Sequence, residues 1–149
     1  MKKLFSLFAV IFMAMSMWAQ SWDLCTIDQL TATDIFVIVD ANTGKAMTND
    51  KGTSAAPAAT AVTVTEDGNN ISGVTDVMKW NISGNAEDGY TIYPNGVTDK
   101  WLYATATNNG LRVGNNNAKT FKIENHTNGE PFLKHVGTSR YIGVYSSQD

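Results

Sequence analysis

Short apolar runs alternate with polar, turn-forming residues along most of this chain. Almost no stretch places Leu, Glu and Lys at helical spacing, whereas β-branched and aromatic residues recur at every second position, which is the period of a strand. The pattern therefore predicts an all-β protein. Its strands are expected at 22–27, 35–39, 61–65, 77–82, 90–93, 101–105, 111–113, 121–124, 132–135 and 141–145.

Residues that favour tight turns separate most of these runs. Glycine and asparagine tolerate positive φ, and Asp and Asn side chains form local hydrogen-bonded turns. Such residues lie at 42–44, 67–70, 88–89, 95–96, 108–110, 115–117 and 128–129. A regular succession of short strands and tight turns is typical of a sandwich, a barrel or a trefoil.

An internal repeat favours the trefoil among these architectures. The best copy reads Trp80-x-Ile82, Tyr90-x-Ile92, Trp101-Leu102-Tyr103, Leu111-x-Val113. The same order recurs about 40 residues later as Phe121-x-Ile123, Phe132-Leu133, Tyr141-Ile142. A looser upstream copy reads Trp22-x-Leu24, Phe36-x-Ile38, Ala46-Met47, Val62-x-Val64. The copies cover about 22–77, 78–118 and 119–149, and they predict a β-trefoil-like fold of three imperfect four-strand repeats.

The repeat resembles the units of ricin-type lectin domains and of other trefoils such as the fascin-like group. The resemblance is carried by an aromatic-x-Ile pair, a Gly-Tyr-x-Ile segment at 89–92, and a basic-aromatic-aliphatic triplet at 100–102 and 140–142. The chain is also similar to small β-rich domains in exported proteins of gut anaerobes. The resemblance implies a trefoil lectin, but the Gln-x-Trp signature that ricin-type units carry near their ends is not found at the ends of these three copies.

The third copy reaches residue 149 before a fourth strand is complete, so the last strand of the trefoil is predicted to be missing. An unclosed barrel exposes backbone hydrogen-bonding groups at its edge. We therefore expect either a truncated form of a longer product or pairing of the edge strand with another chain or segment.

The N-terminal residues have the order of a secretory signal peptide. Lys2 and Lys3 precede an apolar run over 4–18, and Ala19 is followed by polar residues. The run is shorter than the roughly 20 residues of a membrane-spanning helix. The sequence predicts cleavage after residue 19 and a secreted or periplasmic product, with no membrane span after cleavage. The alternative is an uncleaved amphipathic anchor.

Charge and cysteine content limit the partners and the covalent cross-links that are expected. Removing 1–19 takes two of the 11 basic residues and none of the 14 acidic ones, which leaves a formal charge of −5. This balance disfavours a nucleic-acid groove or an anionic membrane as partner. The remaining residues suit a single domain at 20–149. Cys25 is the only cysteine, so no internal disulfide forms, and we expect a small buried residue rather than a reactive thiol.

Aromatic residues receive different predictions according to their place in the repeat. We expect Trp22, Trp80 and Phe121 in the core, and Tyr93 and Tyr103 to be more exposed because they alternate with buried neighbours. An exposed ring beside amides suits glycan binding, since a pyranose stacks on the ring and polar groups bind its hydroxyls. The candidate ligand-binding residues are Tyr93, Asn95, Asp99, Trp101, Asn108, Asn109 and Arg112. For each of them, a turn or packing role is the alternative.

Catalysis finds little support in the sequence. His126 and His135 are the only histidines, and neither has a second His or a Cys at metal-ligand spacing. Phosphate-loop, nucleophile-elbow and EF-hand motifs are absent. No catalytic residue, metal ligand or cofactor is therefore predicted. The chain is expected to be a binding module whose partner is a glycan, with an extracellular protein as the alternative partner and a secreted hydrolase as the second alternative.

Overall fold

The computed structural model describes residues 10–15, 21–50, 57–105, 110–125 and 131–143. Within these ranges the protein is all-β, and its helical content is two three-residue 3₁₀ turns at Ile27–Gln29 and Asp76–Met78. The strands are β1 Val10–Met15, β2 Ser21–Cys25, β3 Phe36–Asp40, β4 Lys45–Met47, β5 Ala59–Ala61, β6 Thr63–Val64, β7 Asn70–Ser72, β8 Trp80–Asn85, β9 Gly89–Pro94, β10 Trp101–Ala104, β11 Leu111–Gly114, β12 Phe121–Asn125, β13 Pro131–His135 and β14 Arg140–Tyr141.

Most strands form one antiparallel sheet that curls into a half-barrel. Its order is β14-β13-β12-β9-β8-β3-β1-β2-β7-β6, and β4 pairs with β3 and β5. β10 and β11 form a separate two-stranded ribbon that packs against β9. Among the described residues this path ends at β6 and β14; β6 is separated by one residue from β5, which pairs with β4.

Strand β3 is buried on both faces and joins the two parts of the core. Phe36 and Ile38 lie in one cluster, together with Trp80, Ile82, Ile92, Leu102, Val113, Phe121 and Leu133. Val37 and Val39 lie in the other, together with Trp22, Leu24, Ala46, Ile71 and Met78. Successive side chains of a strand point to opposite faces, so an unbroken apolar run from 36 to 39 contributes to both clusters.

The core predictions hold for the largest residues and fail for one tyrosine. Trp22, Trp80 and Phe121 are buried, as the repeat predicts. Tyr103 was expected to be exposed, but only 6% of its surface is accessible. The prediction was wrong because Leu102 and Tyr103, which strand alternation places on opposite faces of β10, are both buried.

Turn chemistry explains two of the predicted turns. In the 42–44 turn, Gly44 has a φ of 64°, and the Asp40 carboxylate accepts a hydrogen bond from the N–H of Asn42 at 2.9 Å. In the 67–70 turn, Gly68 has a φ of 68°, and the Asp67 carboxylate accepts one from the N–H of Asn69 at 3.0 Å. Both carboxylates therefore replace a backbone acceptor within a turn.

Some strand boundaries differ from the prediction. The run 77–82 was predicted as one strand, yet its first residues belong to the Asp76–Met78 turn, and β8 begins at Trp80. β7 at Asn70–Ser72 begins where the sequence predicts a turn. The predicted strand 141–145 extends beyond the described residues, and β14 ends at Tyr141.

The apolar segment predicted as part of a signal peptide contains β1. This strand lies between β2 and β3, with five residue pairs to β2 and four to β3. In the described part of the chain, no helix has the length and apolar character needed to cross a bilayer. Cleavage after residue 19 would remove β1 and leave one edge of β2 and one edge of β3 without their neighbour.

Export gives the first testable prediction. We expect the exported protein to begin at Gln20, because the charged, apolar and small-residue order of 1–19 matches what signal peptidase recognises. Intact mass and N-terminal sequencing of the protein recovered from exporting cells measure this directly. A product that retains Met1 would contradict the prediction and would make β1 a permanent member of the sheet.

Candidate functional site

The predicted site residues lie on two neighbouring parts of the fold. Tyr93 is in β9, Asn95 and Asp99 are in the loop that follows it, and Trp101 begins β10. Arg112 lies in β11, the partner of β10 in the ribbon. Asn108 and Asn109 lie outside the described residues. The set therefore follows the path from the main sheet into the ribbon.

Tyr93 lies on the face of the β8–β9 hairpin opposite the core. Its neighbour Ile92 is 2% exposed and belongs to the core, so alternation directs the half-buried Tyr93 to the other side. Tyr93 is paired with Asn81 across the hairpin, and Thr91 with Ser83. This outer face, Asn81, Ser83, Thr91 and Tyr93, carries one aromatic ring among hydroxyl groups and the amide of Asn81, whose nitrogen donates to the carbonyl of Asp34 at 2.8 Å.

The loop between β9 and β10 begins with a tight turn. The N–H of Asn95 donates to the carbonyl of Lys79 at 3.0 Å, and the N–H of Val97 donates to that of Pro94 at 3.0 Å. Gly96 provides the positive φ, 76°, that the turn needs. The backbone of Asn95 is thus fixed, while the side chains of Asn95 and Asp99 are exposed.

Trp101 is held in place by two contacts. Its indole Nε1–H donates to the carbonyl of Asn116, and the Lys119 ammonium lies 3.5 Å from the ring centroid. A cation at that distance is attracted by the electron-rich face of the ring. The half-buried indole is therefore oriented, and Lys119 occupies one of its faces.

The side chain of Arg112 contacts the backbone of its own strand and of the residue before it. It is paired with the buried Tyr103 across the ribbon, and its Nη1 donates to the carbonyl of Leu111 at 2.8 Å. The guanidinium also packs against Gly110, where a Cβ would overlap it. Arg112 therefore covers the backbone at the start of β11.

A further cluster lies at the other end of the sheet, on β12, β13 and β14. Tyr141 is 55% exposed, and its hydroxyl donates to Glu124 Oε2 at 3.0 Å. The Lys134 ammonium donates to both oxygens of Glu124, each at 3.0 Å. The Phe132 and Tyr141 rings make an edge-type contact, with centroids 5.5 Å apart and ring planes inclined at 63°.

Electrostatics stabilise the charged forms in this cluster. The hydrogen bond from Lys134 is the main cause that holds the pKa of Glu124 below its usual value, with smaller contributions from Tyr141 and from the charge of Lys122. The same bond raises the pKa of Lys134.

The sequence did not indicate this cluster, because its three strands become neighbours only through the pairing register of the sheet. An alternating polar pattern in β12 and β13 was the one available signal.

Two described residues of types common in active sites, His135 and Cys25, are buried and partly buried, respectively. His135 is buried, its Nδ1 accepts from the N–H of Thr138 at 3.1 Å, and its Nε2 donates to the carbonyl of Ala118 at 2.9 Å. Burial first, and the charge of Asp34 second, raises the pKa of the Cys25 thiol to about 12, so it stays protonated at neutral pH and is a weak nucleophile. His126 lies outside the described residues.

Among the described residues, no three His, Cys, Asp or Glu side chains come together to hold a metal ion. The fold defines the class as an all-β protein built on a curled, half-barrel sheet. No protein-family model, no curated protein and no solved structure matches this chain.

Proposed function

We propose that this chain is an exported, non-catalytic binding module that recognises glycans through the surface around Tyr93 and Trp101. The observation that carries the proposal is the outer face of the β8–β9 hairpin, where a single aromatic ring lies among hydroxyl and amide groups. Pyranose rings stack on aromatic side chains, and their hydroxyls need polar partners of both kinds. The exposed Asn95 and Asp99 extend this polar surface towards Trp101.

The trefoil-like repeat is part of the same proposal. Its support is that Trp22, Trp80 and Phe121, which stand at the same place in the sequence of each copy, are all buried, with exposed fractions of 1%, 0% and 0%. β8–β9 and β12–β13 are also both antiparallel hairpins, as two equivalent repeats require. A trefoil-like arrangement would place the loop between β9 and β10 at the end of the barrel, where such domains present their ligand sites.

A glycan-array screen of the protein recovered from exporting cells tests the proposal. We expect a hit whose affinity falls at least about tenfold in Tyr93→Ala or Trp101→Ala, because an aromatic ring at the centre of a contact dominates its binding energy. Tyr93→Phe retains the ring and should retain most of the binding.

Val64→Ala is the matched control, since Val64 is also a large exposed apolar residue, 37% accessible, but lies in the end strand β6. Circular dichroism establishes that each variant is folded. No hit on the array from the folded protein would contradict the glycan proposal. So would a hit that survives both alanine substitutions.

The alternative function is a protein-interaction module. The specific observation in its favour is that β14 ends the path of the sheet among the described residues, so that an extended segment could add to its outer edge. Binding through this edge would depend on backbone hydrogen bonds, so it would be insensitive to Tyr93→Ala and Trp101→Ala.

A further inference from the structure

Tyr141 is the most exposed large apolar side chain among the described residues. Its exposed fraction is 55%, against 45% for Val136, 37% for Val64 and 36% for Val77, and it is the aromatic member of this group. Its hydroxyl donates to Glu124, its ring makes an edge-type contact with the Phe132 ring, and the Lys134 ammonium lies 5.4 Å from its ring centroid. The ring is thus fixed in orientation before any ligand arrives, which lowers the entropic cost of binding.

Two lysines lie in one row with this ring. Lys122 of β12 is paired with Lys134 of β13, and Lys134 is paired with Tyr141 of β14. Paired residues of an antiparallel sheet project to the same face, with Cβ atoms roughly 5 Å apart. The row therefore presents two ammonium groups and an aromatic ring side by side.

Glu124 is the carboxylate of this surface. It accepts the hydrogen bonds of Lys134 and Tyr141, and the charge of Lys122 also acts on it. Two ammonium groups against one carboxylate leave a surplus of one positive charge, on a chain whose formal net charge is −3. The surface is thus locally cationic although the protein as a whole is acidic.

We infer that Lys122, Lys134 and Tyr141 form a second glycan-binding site, selective for saccharides that carry carboxylates, such as uronic acids. The pyranose ring stacks on Tyr141, its carboxylate lies against the lysines, and its hydroxyls donate to Glu124. A neutral sugar can stack on the Tyr141 ring, but it is not attracted by the surplus positive charge. The site lies on a different part of the sheet from Tyr93 and Trp101, and it does not depend on them.

The test uses uronic-acid oligosaccharides from galacturonan, alginate and hyaluronan, each beside its methyl ester, with the whole protein as recovered from exporting cells. Esterification removes the charge and keeps the sugar. We expect at least one acid form to bind at least about tenfold more tightly than its ester, with an affinity that falls as salt is added. Equal binding of acid and ester would overturn the charge selectivity, and no binding of any acid form would overturn the site.

Three substitutions locate the site. Tyr141→Ala should lower the affinity for the acid form about tenfold, and Lys122→Gln about fivefold. Glu124→Gln removes the competing negative charge but keeps an oxygen acceptor, so it should raise that affinity about fivefold. Val64→Ala, at an exposed apolar residue of β6 outside both sites, is the matched control and should leave it unchanged. A fall in Glu124→Gln, or an effect of Val64→Ala equal to that of Tyr141→Ala, would overturn the assignment.

Discussion

Gly84→Ala is expected to destabilise the protein by about 3–5 kcal/mol, because it combines backbone strain with a steric overlap. Gly84 has a φ of 104°, a conformation that L-residues with a side chain rarely adopt. A Cβ at this position would also overlap the carbonyl oxygen of Gly89 across the β8–β9 hairpin. That oxygen belongs to the backbone, so it cannot move aside as the end of a side chain would.

Gly73→Ala is the matched control for this prediction. Gly73 also has a positive φ, 81°, but nothing lies within 4 Å of the position its Cβ would occupy. The substitution should therefore cost only the conformational strain, about 1–2 kcal/mol. Urea denaturation of the two variants and the parent protein measures the difference. Equal losses would show that the hairpin backbone shifts to relieve the overlap.

Trp80→Ala is expected to cost about 3–5 kcal/mol of unfolding free energy, because it empties the largest volume in the first core cluster. Trp80 is 0% exposed and packs in the same cluster as Phe36 of β3. Its indole N–H also donates to the carbonyl of Met47 at 3.2 Å. The side chain thus joins β8 to β3 and β4 through both apolar packing and a hydrogen bond.

Trp80→Phe measures the contribution of the hydrogen bond, and Trp101→Ala gives the cost of removing a less buried indole. Trp80→Phe keeps most of the apolar volume but leaves the Met47 carbonyl without its donor, so about 2 kcal/mol should be lost. Trp101→Ala removes a half-exposed ring and should cost about 1–2 kcal/mol. Denaturation monitored by circular dichroism gives all three values. A loss in Trp101→Ala as large as in Trp80→Ala would contradict the burial argument.

Local pattern was sufficient to place most of the strands. The predicted strand 90–93 lies within β9, and 101–105 covers β10, because alternating apolar residues bounded by Asn and Gly define both the period and the ends of a strand. β7 was missed, since its residues 70–72 are mostly polar and follow a turn. A strand of this kind is recognised through its pairing with β2, which is not a local property.

The candidate sites were predictable to different degrees. The turn at Asn95 and the alternation at Tyr93 are consequences of neighbouring residues, and both were expected. The contact between Lys119 and Trp101 was not, because it joins the first residue of β10 to the connection between β11 and β12. The Glu124, Lys134 and Tyr141 cluster depends on the registers of two strand pairs, and a shift of one residue in either would separate its members.

The sequence by itself determined that the protein is all-β, where several of its turns lie, such as those at 42–44 and 95–96, and that Trp22, Trp80 and Phe121 are buried. These features depend on residue type, on the two-residue period and on the conformations that Gly, Asn and Asp permit. Only the tertiary structure decided that Tyr103 is buried, that β3 serves two core clusters, and that Tyr141 meets Glu124. Burial and side-chain contact of this kind depend on which distant strands become neighbours, and the packing of the whole chain selects those pairings.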